Sequence, residues 1–141
     1  MPTPVSTGEK MDIRRSFFTQ VTDRIARFSG VPSDVAMVRQ FVRETLEGSP
    51  VDLDHAVLIA SELATNAIRQ APGPFTIAIR VSETDLVVEV SDTAPAGLDS
   101  PADSDAAAAT SSMELVGRLA EGWHIEAGPE GKTVRARLRR L

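Results

Sequence analysis

The stretch from residue 50 to residue 73, "PVDLDHAVLIASELATNAIRQAPG", restricts the fold of this chain more than any other. Its apolar residues cover most of the circumference of a helix that begins at a capping Asp52 and ends at Ala71, before Pro72. A helix that is apolar on most sides must pack between neighbouring elements. The chain is therefore expected to hold this helix inside a layered domain.

A second helix is predicted just before it, in residues 32–48. Its apolar residues recur at helical spacing and form one stripe, which comprises Val35, Val38, Val42 and Leu46. Pro32 and Ser33 suit the start of a helix and Gly48 suits its end. The two helices are expected to be consecutive and to share one layer.

Five strands and a third helix are predicted from the remaining periodic segments. The strands are an edge strand at residues 21–28, the pair Phe75–Val81 and Leu86–Val90, and the closing segments "WHIEAG" and "KTVRARLRRL". The third helix is predicted in "SSMELVGRLAEG", residues 111–122. This order of elements predicts an α+β fold, a two-layer sandwich with helices on one face of a mostly antiparallel sheet.

Two segments show no periodicity. Residues 1–15 are polar and contain two prolines, which predicts a mobile N-terminal arm. Residues 93–110 are rich in Ala, Asp, Ser and Pro and are too long for a simple connection, which predicts a lid or a disordered loop. Residues 16–141 are expected to form one domain that includes this loop.

The composition excludes several classes of function. The chain has no cysteine, so disulfides, thiolate metal sites and cysteine nucleophiles are excluded. A formal net charge of −5 disfavours a nucleic-acid-binding surface. The sequence shows no signal peptide and no apolar run near the ~20 residues of a membrane span, so a cytoplasmic protein is expected. A protein or a small molecule is the expected partner.

Asn66 is the only asparagine of the 141-residue chain and follows Glu62 by four positions. Residues four apart project from the same helix face, so this carboxylate and this amide are expected side by side. An amide oxygen is a neutral, hard ligand that suits a Mg²⁺ ion already shared with phosphates. From this helix alone, a solvated face is the simpler interpretation. The rarity of asparagine and the aspartate of a nearby strand favour a site.

Together these segments resemble the stand-alone GHKL (histidine-kinase-like) ATP-binding regulators of bacteria, and among them the anti-sigma-factor serine kinases. The resemblance covers roughly residues 22–138, and its most specific parts are "SELATNAIRQA" and "EVSD", residues 61–71 and 89–92. The order of elements predicted above is that of the family's ATP-binding fold. Either sequence piece alone would be weak support.

The resemblance implies a role for four residues and two cofactors, ATP and Mg²⁺. Asn66 matches the asparagine that coordinates the Mg²⁺ on the nucleotide phosphates, and Glu62 matches the general base. Asp92 matches the aspartate that accepts a hydrogen bond from the adenine amino group, and Thr133 in "GKTV" matches a threonine that helps to hold that edge. An ionised carboxylate only accepts hydrogen bonds, which selects adenine over guanine there.

Simpler interpretations exist for several of these residues and their neighbours. Asp92 alone could be a turn residue and Thr133 a β-former. His55 and His124 have no second ligand at metal spacing, so structural or exposed roles are expected. Three arginines alternate along the last strand and are expected to face solvent, with the alternate apolar residues inward: Arg135, Arg137 and Arg139 against Val134, Ala136 and Leu138.

The phosphate-binding segment departs from the family pattern. Where the family carries glycines, this chain has "TSSM", residues 110–113, whose side chains prevent a close approach of backbone to phosphate. Ser111 and Glu114 also have the spacing of a capping box, which would occupy the free N–H groups of the helix start. Weak ATP binding is expected, with a dissociation constant of roughly tens of micromolar at best.

Two classes of function are therefore open. The first is an anti-sigma-factor-like regulator that binds ATP with Mg²⁺ and phosphorylates a serine of an antagonist protein. The second is a non-enzymatic partner-switching module with the same fold and weak or no ATP binding. The resemblance implies a sigma factor or an anti-anti-sigma protein as the partner, and it allows a homodimer. Nothing in the sequence supports a metabolic enzyme.

Overall fold

Two long helices and five strands form the domain, in a computed structural model that describes residues 22–70, 73–93 and 113–141. The strands are β1 (Thr22–Phe28), β2 (Phe75–Val81), β3 (Asp85–Asp92), β4 (Gly122–Gly128) and β5 (Gly131–Arg139). The helices are α1 (Asp34–Leu46), α2 (Leu53–Gln70) and α3, residues 113–119. The predicted arm, residues 1–15, and the predicted loop after residue 93 lie outside the described residues.

The five strands form one sheet in the order β1-β2-β3-β5-β4. Every neighbouring pair is antiparallel. β1 lies at one edge of the sheet, as the sequence predicts. Both long helices pack on the same face, α2 against β3 and β2 and α1 mainly against α2. The predicted α+β sandwich of two layers is confirmed.

Periodicity of apolar residues explains which face of each element is buried. In α1 the stripe that includes Val38, Val42 and Leu46 is buried, whereas Val35 is only partly so. In α2 the buried set is wider, as expected for a helix packed between neighbours, and it includes Ile59 and Leu63. Asp52 caps α2 by accepting a hydrogen bond from the N–H of His55, 3.1 Å long.

The other face of the sheet carries polar side chains. Arg80 on β2 and Arg135 on β5 both form ion pairs with Glu89 on β3, the strand between them. The predicted alternation along β5 is confirmed for Val134, Ala136 and Leu138, which are buried, and for Arg137 and Arg139, which are exposed, whereas Arg135 is only partly exposed because it pairs with Glu89. Buried side chains at the ends of these strands therefore lie on the face that the helices cover.

The loop from β1 to α1 is held by a buried carboxylate. Oδ2 of Asp34 accepts hydrogen bonds from the N–H of Gly30 (2.8 Å), the N–H of Val31 (3.1 Å) and the hydroxyl of Ser29 (3.0 Å). The bond from Gly30 contributes most to lowering the pKa of Asp34, and these donors outweigh the opposing effect of burial. The ionised carboxylate therefore stabilises the folded chain.

We expect Asp34→Asn to reduce the stability of the domain in a pH-dependent way. The folded-state pKa of Asp34 lies below its usual value of 3.8, so the stabilisation is complete above that value and is lost as the pH falls below it. Urea unfolding should show a clear loss at pH 7 that becomes smaller at pH 3. The exposed Asp54, in the first turn of α2, supplies the control Asp54→Asn. A loss that is equal at both pH values would contradict this account.

Within the described ranges, none of the helices is long and apolar enough to cross a membrane.

Candidate functional site

The candidate site lies where the C-terminal half of α2 covers the end of β3 and the start of β5. Gln70 on α2 accepts a hydrogen bond from Nζ of Lys132 on β5, and Lys132 stands directly opposite Asp92 on β3. Asn66 lies one helical turn before Gln70 and contacts Met113, at the start of α3. These contacts bring three elements and the first residue of α3 into one region.

Glu62 and Asn66 are held on α2 at the predicted spacing of one turn. Asn66 is buried, with 4% of its surface exposed, while Glu62 is only partly buried. The helix is fixed there by buried neighbours, Leu63 and Ala67 among them. Glu62 has no ion-pair or side-chain hydrogen-bond partner within residues 22–70, 73–93 and 113–141. None of the described side chains therefore occupies its carboxylate.

The amide of Asn66 is only half satisfied. Its Nδ2 contacts Sδ of Met113 at 3.9 Å, and its buried Oδ1 has no hydrogen-bond partner among the described residues. A buried polar atom that lacks a partner costs about 1–3 kcal/mol. Such an acceptor on a rigid helix is a position where a ligand or a cation gains affinity.

A Mg²⁺ ion fits this position only in one way. The described part of the chain contains no cluster of three or more His, Cys, Asp or Glu side chains that could hold a metal by itself. Mg²⁺ prefers oxygen ligands and commonly keeps waters while sharing substrate phosphates. The free Oδ1 of Asn66 suits an ion whose other ligands are phosphate oxygens and water. The protein would then supply one ligand and the nucleotide most of the others.

Asp92 ends β3 on the helix-covered face. It is two residues beyond the buried Val90, and its own exposed fraction is 7%. Lys132, with 8% exposed, is its cross-strand partner and lies two residues before the buried Val134. Side chains of a strand alternate between the faces, so both residues project toward α2. The region contains a buried carboxylate and a buried ammonium in addition to Asn66.

Gly131 permits the close approach of β5 to the end of β3. Its φ of +148° belongs to the region that favours glycine, and a Cβ at this position would overlap the carbonyl oxygen of Asp92. Only a residue without a side chain therefore allows the backbone of β5 to lie this close to Asp92.

Thr133 lies on the other face of the sheet. Its Oγ1 is 2.9 Å from Oγ of Ser91, its cross-strand partner, on the same side as Glu89 and Arg135. The structure therefore brings Asn66, Asp92 and Glu62 to the helix side and does not bring Thr133 to them. The residue of β5 that does face this region is Lys132.

The two histidines lie elsewhere. His55 is 3.2 Å from the carboxylate of Asp52 at the start of α2. His124 on β4 contacts Arg135 and Glu126 on the uncovered face of the sheet. Neither approaches the candidate site, which agrees with the structural or exposed roles expected from the sequence.

Comparison with known families decides the relationship of this chain. Residues 28–138 match the histidine kinase-like ATPase domain. The chain belongs to this family. The match spans both long helices, all strands except most of β1, and the candidate site. It supports nucleotide binding by the histidine kinase-like ATPase domain described here. A comparison with functionally characterised proteins found no match.

Sequence analysis did not identify Lys132, Gln70 or Met113 as site residues. Lys132 could have been found, because the inward alternation predicted for Val134 and Ala136 extends back to it. Gln70 lies one turn after Asn66 on the same helix face, so helical spacing could have indicated it as well. The contact between Met113 and Asn66 spans 47 residues of sequence and has no local signal.

Proposed function

We propose that this protein is a nucleotide-dependent regulator of the anti-sigma-factor kinase type. The observation that carries the proposal is the buried Oδ1 of Asn66, which has no hydrogen-bond partner in the part of the chain that the structure describes. Asn66 lies one helical turn from Gln70, which contacts Lys132, the cross-strand partner of Asp92. Membership of the histidine kinase-like ATPase family supports ATP as the ligand. The regulatory subtype rests on the sequence resemblance.

In this proposal each site residue has one task. Asn66 would hold the Mg²⁺ that neutralises the phosphates of ATP, and Asp92 lies where the sequence resemblance places the adenine amino group. Glu62 accepts the proton of a serine hydroxyl on the partner protein. The serine oxygen then bonds to the γ-phosphorus of ATP, and the bond between that phosphorus and the bridging oxygen of ADP breaks. The partner is an anti-anti-sigma protein for this step and a sigma factor for the regulated complex.

The surface proposed for the partner is the outer side of α1 with the neighbouring edge strand. It carries an exposed apolar side chain, Met37 (61% exposed), beside charged residues such as Arg39 and Arg43, whereas the exposed Ile25 of β1 projects from the opposite face of the sheet. This surface lies on different elements from Asn66 and Asp92. Binding of a partner therefore does not depend on catalysis at the site.

The second candidate function is a partner-binding module without catalysis, and the ammonium of Lys132 beside Asp92 favours it. A buried cation at the proposed base position weakens the usual recognition of ATP. The two candidates differ in whether Glu62 matters for phosphate transfer and agree that it does not matter for partner binding.

We expect ATP to bind with a dissociation constant of roughly tens of micromolar, and to bind more weakly when Mg²⁺ is removed. Glu62→Ala should leave this affinity within about twofold, because Glu62 acts on the proton and not on the phosphates. Calorimetric titration with ATP, with and without a chelator, measures both. Transfer of γ-phosphate to an anti-anti-sigma protein, lost in Glu62→Ala, would establish the kinase.

Two results would count against the proposal. Absence of ATP binding at millimolar concentration would remove the nucleotide site from the account. Binding of the partner that requires an intact Glu62 would contradict the separation of the docking surface from the site.

A further inference from the structure

The site contains a buried lysine, Lys132, that has no task in the proposed phosphate transfer. Lys132 and Asp92 are paired directly across β5 and β3, and opposite residues of antiparallel strands project to the same face with Cβ atoms about 5 Å apart. Both are more than nine-tenths buried. Gln70 on α2 holds the ammonium from the helix side. Lys132 is also one of only two lysines in a chain whose other cationic side chains are arginines.

The ammonium and an adenine amino group make the same demand on this site. Both donate hydrogen bonds, and an ionised carboxylate such as that of Asp92 only accepts them. The ammonium carries a full positive charge and the adenine amino group carries none, so the carboxylate attracts the ammonium more strongly and the ammonium is the stronger competitor. A base that enters beside Lys132 therefore meets a cation that can compete with it for the carboxylate.

We infer that Lys132 determines the base specificity of this site by competing with the 6-amino group of adenine for Asp92. The inference rests on the nucleotide site proposed above. The protein then binds purine nucleoside triphosphates through their phosphates and does not distinguish purines that carry the amino group from those that lack it. In this site Asp92 balances the charge of Lys132 and does not read the base.

The test compares ATP with purine riboside triphosphate, which lacks only the 6-amino group. For the unmodified protein with Mg²⁺ we expect the two dissociation constants to agree within about twofold. In Lys132→Thr the carboxylate is released, and ATP should bind about tenfold more tightly than the analogue, a difference of ~1.4 kcal/mol. Lys132→Arg keeps the cation and is the matched control, for which the ratio should remain near one.

The outcomes separate this inference from the nucleotide site itself. If the unmodified protein already prefers ATP tenfold, or if the ratio stays near one in Lys132→Thr, the inference is wrong and the nucleotide site stands. If neither triphosphate binds to any variant, the nucleotide site is wrong and the inference is wrong with it. Should Lys132→Thr fail to fold, Lys132→Met keeps the volume of the stem without the charge, and its ratio is interpreted in the same way.

Discussion

Gly131→Ala is expected to lower the free energy of unfolding by about 3–5 kcal/mol, one of the largest effects that a single methyl group can have. Two causes add at this position. A non-glycine residue is strained at φ +148°, and the new Cβ would overlap the backbone carbonyl of Asp92. Backbone cannot move away as a flexible side chain can, so β3 and β5 must separate at the site.

The control for this prediction is Gly73→Ala. Gly73 also has a positive φ, +137°, but a Cβ there meets no atom within 4 Å. It should therefore show the conformational strain alone, about 1–2 kcal/mol. Urea unfolding measures both losses. Equal losses in the two variants would show that the close approach of Gly131 to Asp92 contributes nothing.

Asn66→Ala is expected to abolish the Mg²⁺ dependence of ATP binding without destabilising the domain. The substitution removes the proposed metal ligand, so affinity should be the same with Mg²⁺ and with a chelator. It also removes a buried acceptor that has no partner, and alanine is the better helix former by about 0.5 kcal/mol. The free energy of unfolding should therefore be unchanged or higher.

Leu63→Ala is the comparison variant, because it should lower the free energy of unfolding whereas Asn66→Ala should not. Leu63 lies on the same helix, is buried to a similar degree and is apolar, so its truncation should lower the free energy of unfolding by about 2–5 kcal/mol. Thermal unfolding of the two variants beside ATP titrations decides the matter. A loss of stability in Asn66→Ala as large as that in Leu63→Ala would mean that Asn66 is a structural residue.

Much of the architecture follows from apolar periodicity. The buried stripe of α1, the broad buried surface of α2 and the alternation in β5 are each set by spacing of residues that are close in sequence. The sheet is the consequence of burying these faces together. The predicted end of β3 at Val90 is two residues too early, because polar Ser91 and Asp92 continue the strand through pairing with β5.

The site was harder to predict, because its polar residues depend on register. Thr133 matches a family position by sequence, yet alternation from the inward Val134 places Thr133 outward and Lys132 inward. One residue of register thus decides which side chain reaches Asp92. The role of Asp34 in the β1–α1 loop also had no signal in the sequence. Its carboxylate accepts three hydrogen bonds from residues at most five positions away, and these form only when the loop has folded.

The central claim, that Asn66 contacts a metal-bound nucleotide, can be tested on a single resonance. Asn66 is the only asparagine, so selective ¹⁵N-asparagine labelling gives one side-chain ¹⁵N resonance, seen as the pair of cross-peaks of its NH₂ group. Addition of ATP with Mg²⁺ should shift that signal strongly, because Oδ1 gains a cation and the contact of Nδ2 with Met113 changes. ATP with a chelator should shift it much less. A signal that does not move at saturating ATP and Mg²⁺, while calorimetry shows binding, would contradict the claim.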